Sequence, residues 1–500
     1  MKIVKFEDYK YNKSDNENEA ERIKNPDNMV DFLNYMKAEE DEYGILLERY
    51  VRDLTQNIKD DNELFQEYNS KIRDYLNVLS KAGKDKVAIK IIDIFIKTWE
   101  SDIRKLAVAY EDRSRYMVAD GKHQTAYRNI VKAREFYIKA YGKNDIRTIH
   151  ARITAAHYIR SIATDDKANE MLKKIIDDCK EFFDSDSQEV PEIIRRIINA
   201  YGLFNREDDE VVRLKKLCYE KCCMIYGKEH RKSLEALLYI SDFYSFGDSD
   251  KYLSKSLYVY EQCLANLGKK DPLTLRSKAQ LARAYERNYE YKQALTMMNE
   301  IYETTFKIYG KSSDKALESL QSLAVCIKEA QSFPNNLINK KILYETLREE
   351  YDDELLVHEK ENIDKMEANL GDYLLVKYQA NNYKEMIEEA LSSLKEDEAR
   401  IYSWKGIIYN SLDEHDKAIL NMEKCYEATV LEYGETNKRS IYILSQLGLF
   451  QQNADQWEKA TESYKKGWLQ ANKVHGSDDN LTKLMYESYV LASRTRDLLK

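Results

Sequence analysis

Residues 281–295 read LARAYERNYEYKQAL, and residues 447–461 read LGLFQQNADQWEKAT. Each passes a small residue in a helical run (Ala282, Gly448), crosses a polar turn, and meets a bulky ring (Tyr291, Trp457). Each then resumes with a second small residue twelve after the first (Ala294, Ala460). Small side chains at those places let two antiparallel helices approach closely, so each stretch reads as the elbow of a helix hairpin. A third residue follows seven later. The full series is Ser114/Ala126/Ala133, Ala156/Ala168/Ile175, Ala282/Ala294/Ile301, Gly371/Tyr383/Ala390, Gly406/Ala418/Cys425 and Gly448/Ala460/Gly467. The ring nine after the first residue recurs as Tyr291, Phe333, His415 and Trp457 and is expected to fill the hairpin turn.

Between the elbows lies a second mark: an aromatic, Leu or His, then Gly, then Thr or Ser six residues on. It appears at Tyr141-Gly142 (Thr148), Tyr226-Gly227 (Ser233), Leu267-Gly268 (Thr274), Tyr309-Gly310, Tyr433-Gly434 (Ser440) and His475-Gly476 (Thr482). The glycines are 85, 41, 42, 124 and 42 apart, close to multiples of 42. Phe183-Asp184 and Tyr351-Asp352 fill two gaps as degenerate copies. Gly or Asp in the left-handed region ends a helix, and the Thr or Ser is expected to cap the next one. A period of this length marks a stack of repeated helix pairs.

Composition agrees. The chain has 500 residues, of which 15 are Gly and 4 Pro, too few turn residues for an all-β or doubly wound fold. Charged residues make up 33%, and no run approaches the length of an apolar membrane span. The start, MKIVKFEDYKYNK, is not read as a secretory signal. Seven cysteines without scaffold spacing point to a reduced, cytoplasmic compartment. With 79 Lys+Arg against 88 Asp+Glu the net charge is −9, which argues against a nucleic-acid binder.

The stretches 281–295 and 447–461, with the YGK and LGKKDPLT loops, resemble tetratricopeptide (TPR) repeats in the 42-residue form of kinesin light chains. The resemblance covers roughly residues 106–492. It implies an all-α, right-handed superhelical solenoid of about nine antiparallel helix pairs, with helix A of each pair lining a concave groove. The kinesin-type Asn-Asn pair before the small residue is missing: those places hold Ala279-Gln280, Gln321-Ser322, Ser403-Trp404 and Ser445-Gln446. The expected domains are a polar, mobile segment over 1–28, a helical cap with a degenerate repeat over 29–105, the array over 106–492, irregular near 330–371, and a tail over 493–500. Trp99-Glu100, one period before Tyr141-Gly142, marks the degenerate repeat.

No catalytic constellation assembles. The chain lacks a GxxxxGK[ST] loop and a GxSxG elbow, and His358-Glu359 has no second His one turn on. Cys218, Cys222, Cys223 and His230 form the one metal-like cluster, but Cys179, Cys222 and Cys263 all stand five before a loop mark, a buried packing place. No enzyme activity, cofactor or metal is therefore expected. In the TPR-like groove the residues the repeat leaves open are Arg115, His157, Arg160, Arg276, Arg283, Glu286, Lys328, Arg400, Asn410 and Gln452. Arg287 shares a stripe with Arg276 and Arg283. These either bridge to Glu235, Asp242 and Glu318 of neighbouring repeats or recognise carboxylates. The expected function is a non-enzymatic scaffold or adaptor for a protein or peptide, acidic if the arginines serve recognition. Two alternatives remain: a ligand- or peptide-gated regulatory subunit, of a bacterial signalling or defence type, whose N-terminal helices transmit binding to an effector, and, less favoured, an RNA-binding helical repeat.

Overall fold

A computed structural model describes residues 40–58, 61–81, 85–163, 165–201, 209–243, 249–348, 356–395, 398–477 and 479–499. The segment 1–28 and the Tyr351-Asp352 mark lie outside the described residues. Within them every regular element is a helix and none is a strand.

The chain divides into two compact units, Met1–Arg206 and Glu207–Lys500. The first holds α1 (Glu40–Asn57), α2 (Asp61–Glu67), a π-helical turn (Tyr68–Ile72), α3 (Arg73–Lys81), α4 (Asp85–Thr98), α5 (Ile103–Ala119), α6 (His123–Tyr141), α7 (Ile146–Arg160), α8 (Asp165–Asp178), α9 (Lys180–Asp184) and α10 (Val190–Ala200). The second holds α11 (Asp209–Tyr226), α12 (Arg231–Phe243), α13 (Ser249–Leu267), α14 (Pro272–Arg287), α15 (Tyr291–Tyr309) and α16 (Asp314–Arg348). It continues with α17 (Val357–Asn369), a 3-10 turn (Leu370–Asp372), α18 (Tyr373–Ser392), α19 (Ala399–Ser411), α20 (His415–Tyr433), α21 (Lys438–Asn453), α22 (Trp457–His475) and α23 (Asn480–Leu498). The boundary expected between 105 and 106 falls within α5, and the expected tail 493–500 begins within α23.

Consecutive helices pack as antiparallel pairs, among them α5 with α6, α14 with α15, α19 with α20 and α21 with α22. The small residues sit where the pairs touch. Ser114, Ala126, Ala133, Ala282, Ala294, Ala418 and Ala460 are fully buried. At Gly406 an added Cβ would come within 3.2 Å of Met422 and 3.3 Å of the Ala418 carbonyl, so the α19–α20 contact is closer than an ordinary side chain allows without a shift. The elbow carries a feature that spacing did not foretell. Seven residues after the small residue the backbone turns left-handed: Gly121 (φ 77°), Tyr289 (62°), Asp413 (58°) and Asp455 (57°). Tyr291, His415 and Trp457 then open the second helix of their pairs.

The loop mark works differently from the expectation. Gly142 has φ 90° and ψ 170°, and Gly434 has φ 84° and ψ 158°, a region essentially reserved for glycine. An Asp cannot substitute there cheaply, and Asp184 instead ends α9 in helical conformation, followed by Ser185 at φ −73°. The Thr or Ser is not the cap. Asp145, Asp271, Asn437 and Asp479 accept the N-terminal N–H groups of α7, α14, α21 and α23. The hydroxyls of Thr148, Ser233 and Ser440 point back and donate to the carbonyls of Gly142, Gly227 and Gly434 at 2.8, 2.7 and 2.7 Å. Buried among the helices, a hydroxyl can reach only a neighbouring carbonyl, so it locks the loop shut. One period earlier, buried Trp99 follows α4, edge-on to Phe65 and Tyr68, and Asp102 caps α5.

The irregular stretch breaks the pattern in a specific way. Phe333 was expected in a hairpin turn, but α16 runs unbroken for 35 residues through Phe333 and Pro334. The Phe333 ring is buried against Tyr289, Tyr291 and Tyr373, at centroid distances of 6.1, 5.4 and 6.4 Å. In the triple Gly371/Tyr383/Ala390 the first member is not a helix contact: Gly371 lies in the 3-10 turn with nothing within 4 Å of an added Cβ, while Tyr383 and Ala390 of α18 pack against the core. α17 returns along α16, with Lys340 bonded to Glu359 at 2.7 Å. α18 takes the place of the second helix of the pair: Ile387 and Leu391 share a core with Leu320 and Leu323 of α16.

Candidate functional site

Side chains of the first unit named from sequence are engaged within the unit. On α5, Arg115 donates to Asp112 at 3.2 Å and to the Tyr116 hydroxyl at 3.1 Å. Buried Asp112 also accepts from the Tyr68 hydroxyl at 2.8 Å and from Arg73 at 2.9 Å. Three donors thus hold one carboxylate, and the helices over 61–81 are fixed to α5 through it. The Tyr137 hydroxyl donates to Glu111 at 2.6 Å, and burial raises that carboxyl above its ordinary range. Arg160 bridges α7 to α8, donating to Asp165 at 2.7 Å and Asn169 at 2.9 Å. Partial burial, then the Arg160 charge, hold the His157 imidazole below its ordinary value.

In the second unit, Lys328 pairs with Asp413 at 2.8 Å, and Arg400 with Asp314 at 2.7 Å. Trp404 also donates to Asp314 at 2.9 Å. The hydrogen bonds from Arg400 and Trp404 outweigh partial burial and hold the Asp314 carboxyl below its ordinary range. Asn410 accepts from Asn453 at 3.1 Å, joining α19 to α21. The Arg400 and Asn410 contacts join first helices of successive pairs, and Lys328 reaches from α16 to the elbow after α19.

The stripe on α14 is otherwise. Arg276, Arg283 and Arg287 are exposed. Arg276 lies over the Tyr239 ring of α12 at 5.4 Å, and Arg287 over Tyr252 at 6.0 Å. Among the described residues neither Arg276 nor Arg283 has a carboxylate within 4.0 Å. Glu235, the expected bridging partner, pairs with Arg231 of its own helix at 3.4 Å. One turn after Arg283, Glu286 faces α16. Its Oε1 is buried without a hydrogen-bond partner. Burial first, then nearby Glu329, push its carboxyl up to about 7, against the opposing pull of the Cys326 thiol and Arg283. The arginine stripe and Glu286 were visible in the repeat positions. The Asp112 cluster was not singled out, although its partners stand 39 and 44 residues away, near one period.

The cysteine cluster divides: Cys218 and Cys222 are buried in α11, while the His230 ring stacks on Tyr226 at 5.0 Å and its Nδ1 accepts the Lys232 N–H. No described helix is long and apolar enough to cross a membrane.

No family model and no curated protein matches the chain. Among solved structures it is similar to the nearly identical TPR-like repeats of a Podosopora anserina chain described as a kinesin light chain. Identity is 17% over 42% of this chain and 99% of that one, with a TM-score of 0.36. It is also similar to a Rap protein complexed with competence and sporulation factor, at 9% identity over 79% of this chain and 99% of that one, TM-score 0.27. The likenesses add nothing to what the helices themselves display: an all-α stack of antiparallel pairs, the TPR-like arrangement expected from the sequence.

Proposed function

We propose that the chain is a non-catalytic scaffold that binds a protein or peptide through carboxylates on the α14 stripe. One contrast carries the reading. Arg115, Arg160, Lys328 and Arg400 are each spent in ion pairs, whereas Arg276 and Arg283 stand exposed with no carboxylate within 4.0 Å among the described residues. Guanidinium groups in that state are suited to bidentate carboxylate recognition. The other sequence-named residues then serve mainly to hold successive helix pairs together.

The test is Arg276→Glu with Arg283→Glu in the full chain, against acidic peptides selected from a displayed random library. Binding should fall at least tenfold and weaken with salt, because exposed charges are screened over about 10 Å at 0.1 M. Melting should hardly move, since exposed charges contribute about 0–1 kcal/mol each. Undiminished binding in the double variant would refute the reading.

A further inference from the structure

The places held by Arg276 and Arg283, eight and fifteen after the loop glycine Gly268, recur after Gly310, Gly434 and Gly476, and in α19 six before and one after the small residue Gly406. They hold Glu318 and Val325 in α16, Arg400 and Ile407 in α19, Tyr442 and Leu449 in α21, and Leu484 and Leu491 in α23. Packing does not dictate the residue type at these places, as an arginine serves in α14 and a glutamate in α16. Yet α21 and α23 fill them with large apolar side chains left in water: Tyr442 is 55% exposed, Leu449 43%, Leu484 49% and Leu491 61%. Each pair is seven residues apart, on one side of its helix. Aligned apolar groups of this kind differ from singly scattered ones, which need no explanation. Successive first helices are neighbours along the row: Glu286 of α14 faces Cys326 and Glu329 of α16, Arg400 of α19 bonds Asp314 of α16, Asn453 of α21 bonds Asn410 of α19, and Leu444 of α21 shares a core with Met485 of α23.

Building on the proposed carboxylate recognition, we infer that the bound segment is an extended peptide of two parts, carboxylates on Arg276 and Arg283 and large apolar side chains on Tyr442, Leu449, Leu484 and Leu491. The unpaired positive charge at one end of the row selects the acidic part, and the exposed apolar pairs at the other end select the apolar part. Three helix steps of 8–10 Å separate α14 from α21, so the two parts stand roughly 7–9 residues apart in an extended chain of about 3.3 Å per residue. An acidic peptide without the apolar part would bind the arginines alone.

A phage-displayed library of random 16-residue peptides is panned against the full chain, and the selected peptides are synthesised whole and as halves. The selected sequences should carry an apolar cluster and an acidic cluster at that separation. Leu449→Ser with Leu491→Ser should weaken the whole peptide at least tenfold and leave the acidic half unaffected. Arg276→Glu with Arg283→Glu should weaken both. Should the leucine pair lower the melting temperature, Tyr442→Ser with Leu484→Ser repeats the measurement on the same row. Acidic halves that bind as tightly as whole peptides, lost only with the arginines, overturn the inference and leave carboxylate recognition standing. Selected peptides indifferent to the arginines refute both. Self-association of the chain, or its sedimentation with phosphatidylcholine vesicles, abolished by the leucine substitutions, would assign the row to a second copy or to lipid and also overturn the inference.

Discussion

Glu286 is a carboxyl whose surroundings decide its proton. Against an ordinary value of 4.5 it is held up to about 7, by burial and then by Glu329. The folded state therefore keeps a proton that the unfolded chain has released. The resulting stabilisation is fully present below about pH 4.5 and is lost as pH rises through 7. Melting temperature should fall across that window, and Glu286→Gln should flatten the fall. An unchanged slope in the variant would locate the titrating group elsewhere. Such detail is legible in sequence only in outline: the repeat placed Glu286 beside Arg283, but not against Glu329 of the next pair. The Thr148 hydroxyl shows the same limit. Its spacing from Gly142 was plain, yet which of two hydrogen bonds it makes depends on burial that one sequence does not display.

The helix hairpin was the most legible element, because small residues at fixed spacing have one physical use. Gly448 makes the point: an added Cβ would lie 2.8 Å from the Tyr464 ring, which is tethered by its hydroxyl to Gln452 at 2.6 Å. The ring cannot swing away without losing that bond. Gly448→Ala should cost about 1–3 kcal/mol, measured by urea denaturation. The failure of the pattern at Phe333 has an equally local cause. Three tyrosine rings surround it, so the chain continues as helix despite Pro334, which cannot donate to the Ala330 carbonyl. Pro334→Ala restores that donor within a helix that already exists and should stabilise by roughly 1–3 kcal/mol, read in the same denaturation. Destabilisation would mean the proline sets a bend that the packing needs.

At the scale of the molecule, each pair packs chiefly on its sequence neighbours, so stability is a chain of local terms. Damage should stay near its source. In Gly448→Ala, amide hydrogen exchange should quicken in α21–α23 and remain unchanged in α5–α7. Uniform quickening would show that the units unfold as one. The period was legible because identical loops and elbows recur. The division after Arg206 was not, because Asn205-Arg206-Glu207-Asp208 looks like any other polar connection in this charged chain.

The unbroken course of α16 also bears on how the period is read. The chain leaves the array near Phe333 and is back beside it at Tyr373, with the two rings 6.4 Å apart. Forty positions separate the two, almost one full period. The glycines on either side, Gly310 and Gly434, consequently stand 124 apart, close to three periods, while among the described residues two helix pairs lie between them: α16 with α18, and α19 with α20. An excursion as long as the graduation of the ruler leaves the scale in phase. Periodicity by itself counts it as one more rung of the ladder, and only the side chains meeting at its two ends disclose that the ladder has been stepped off and rejoined.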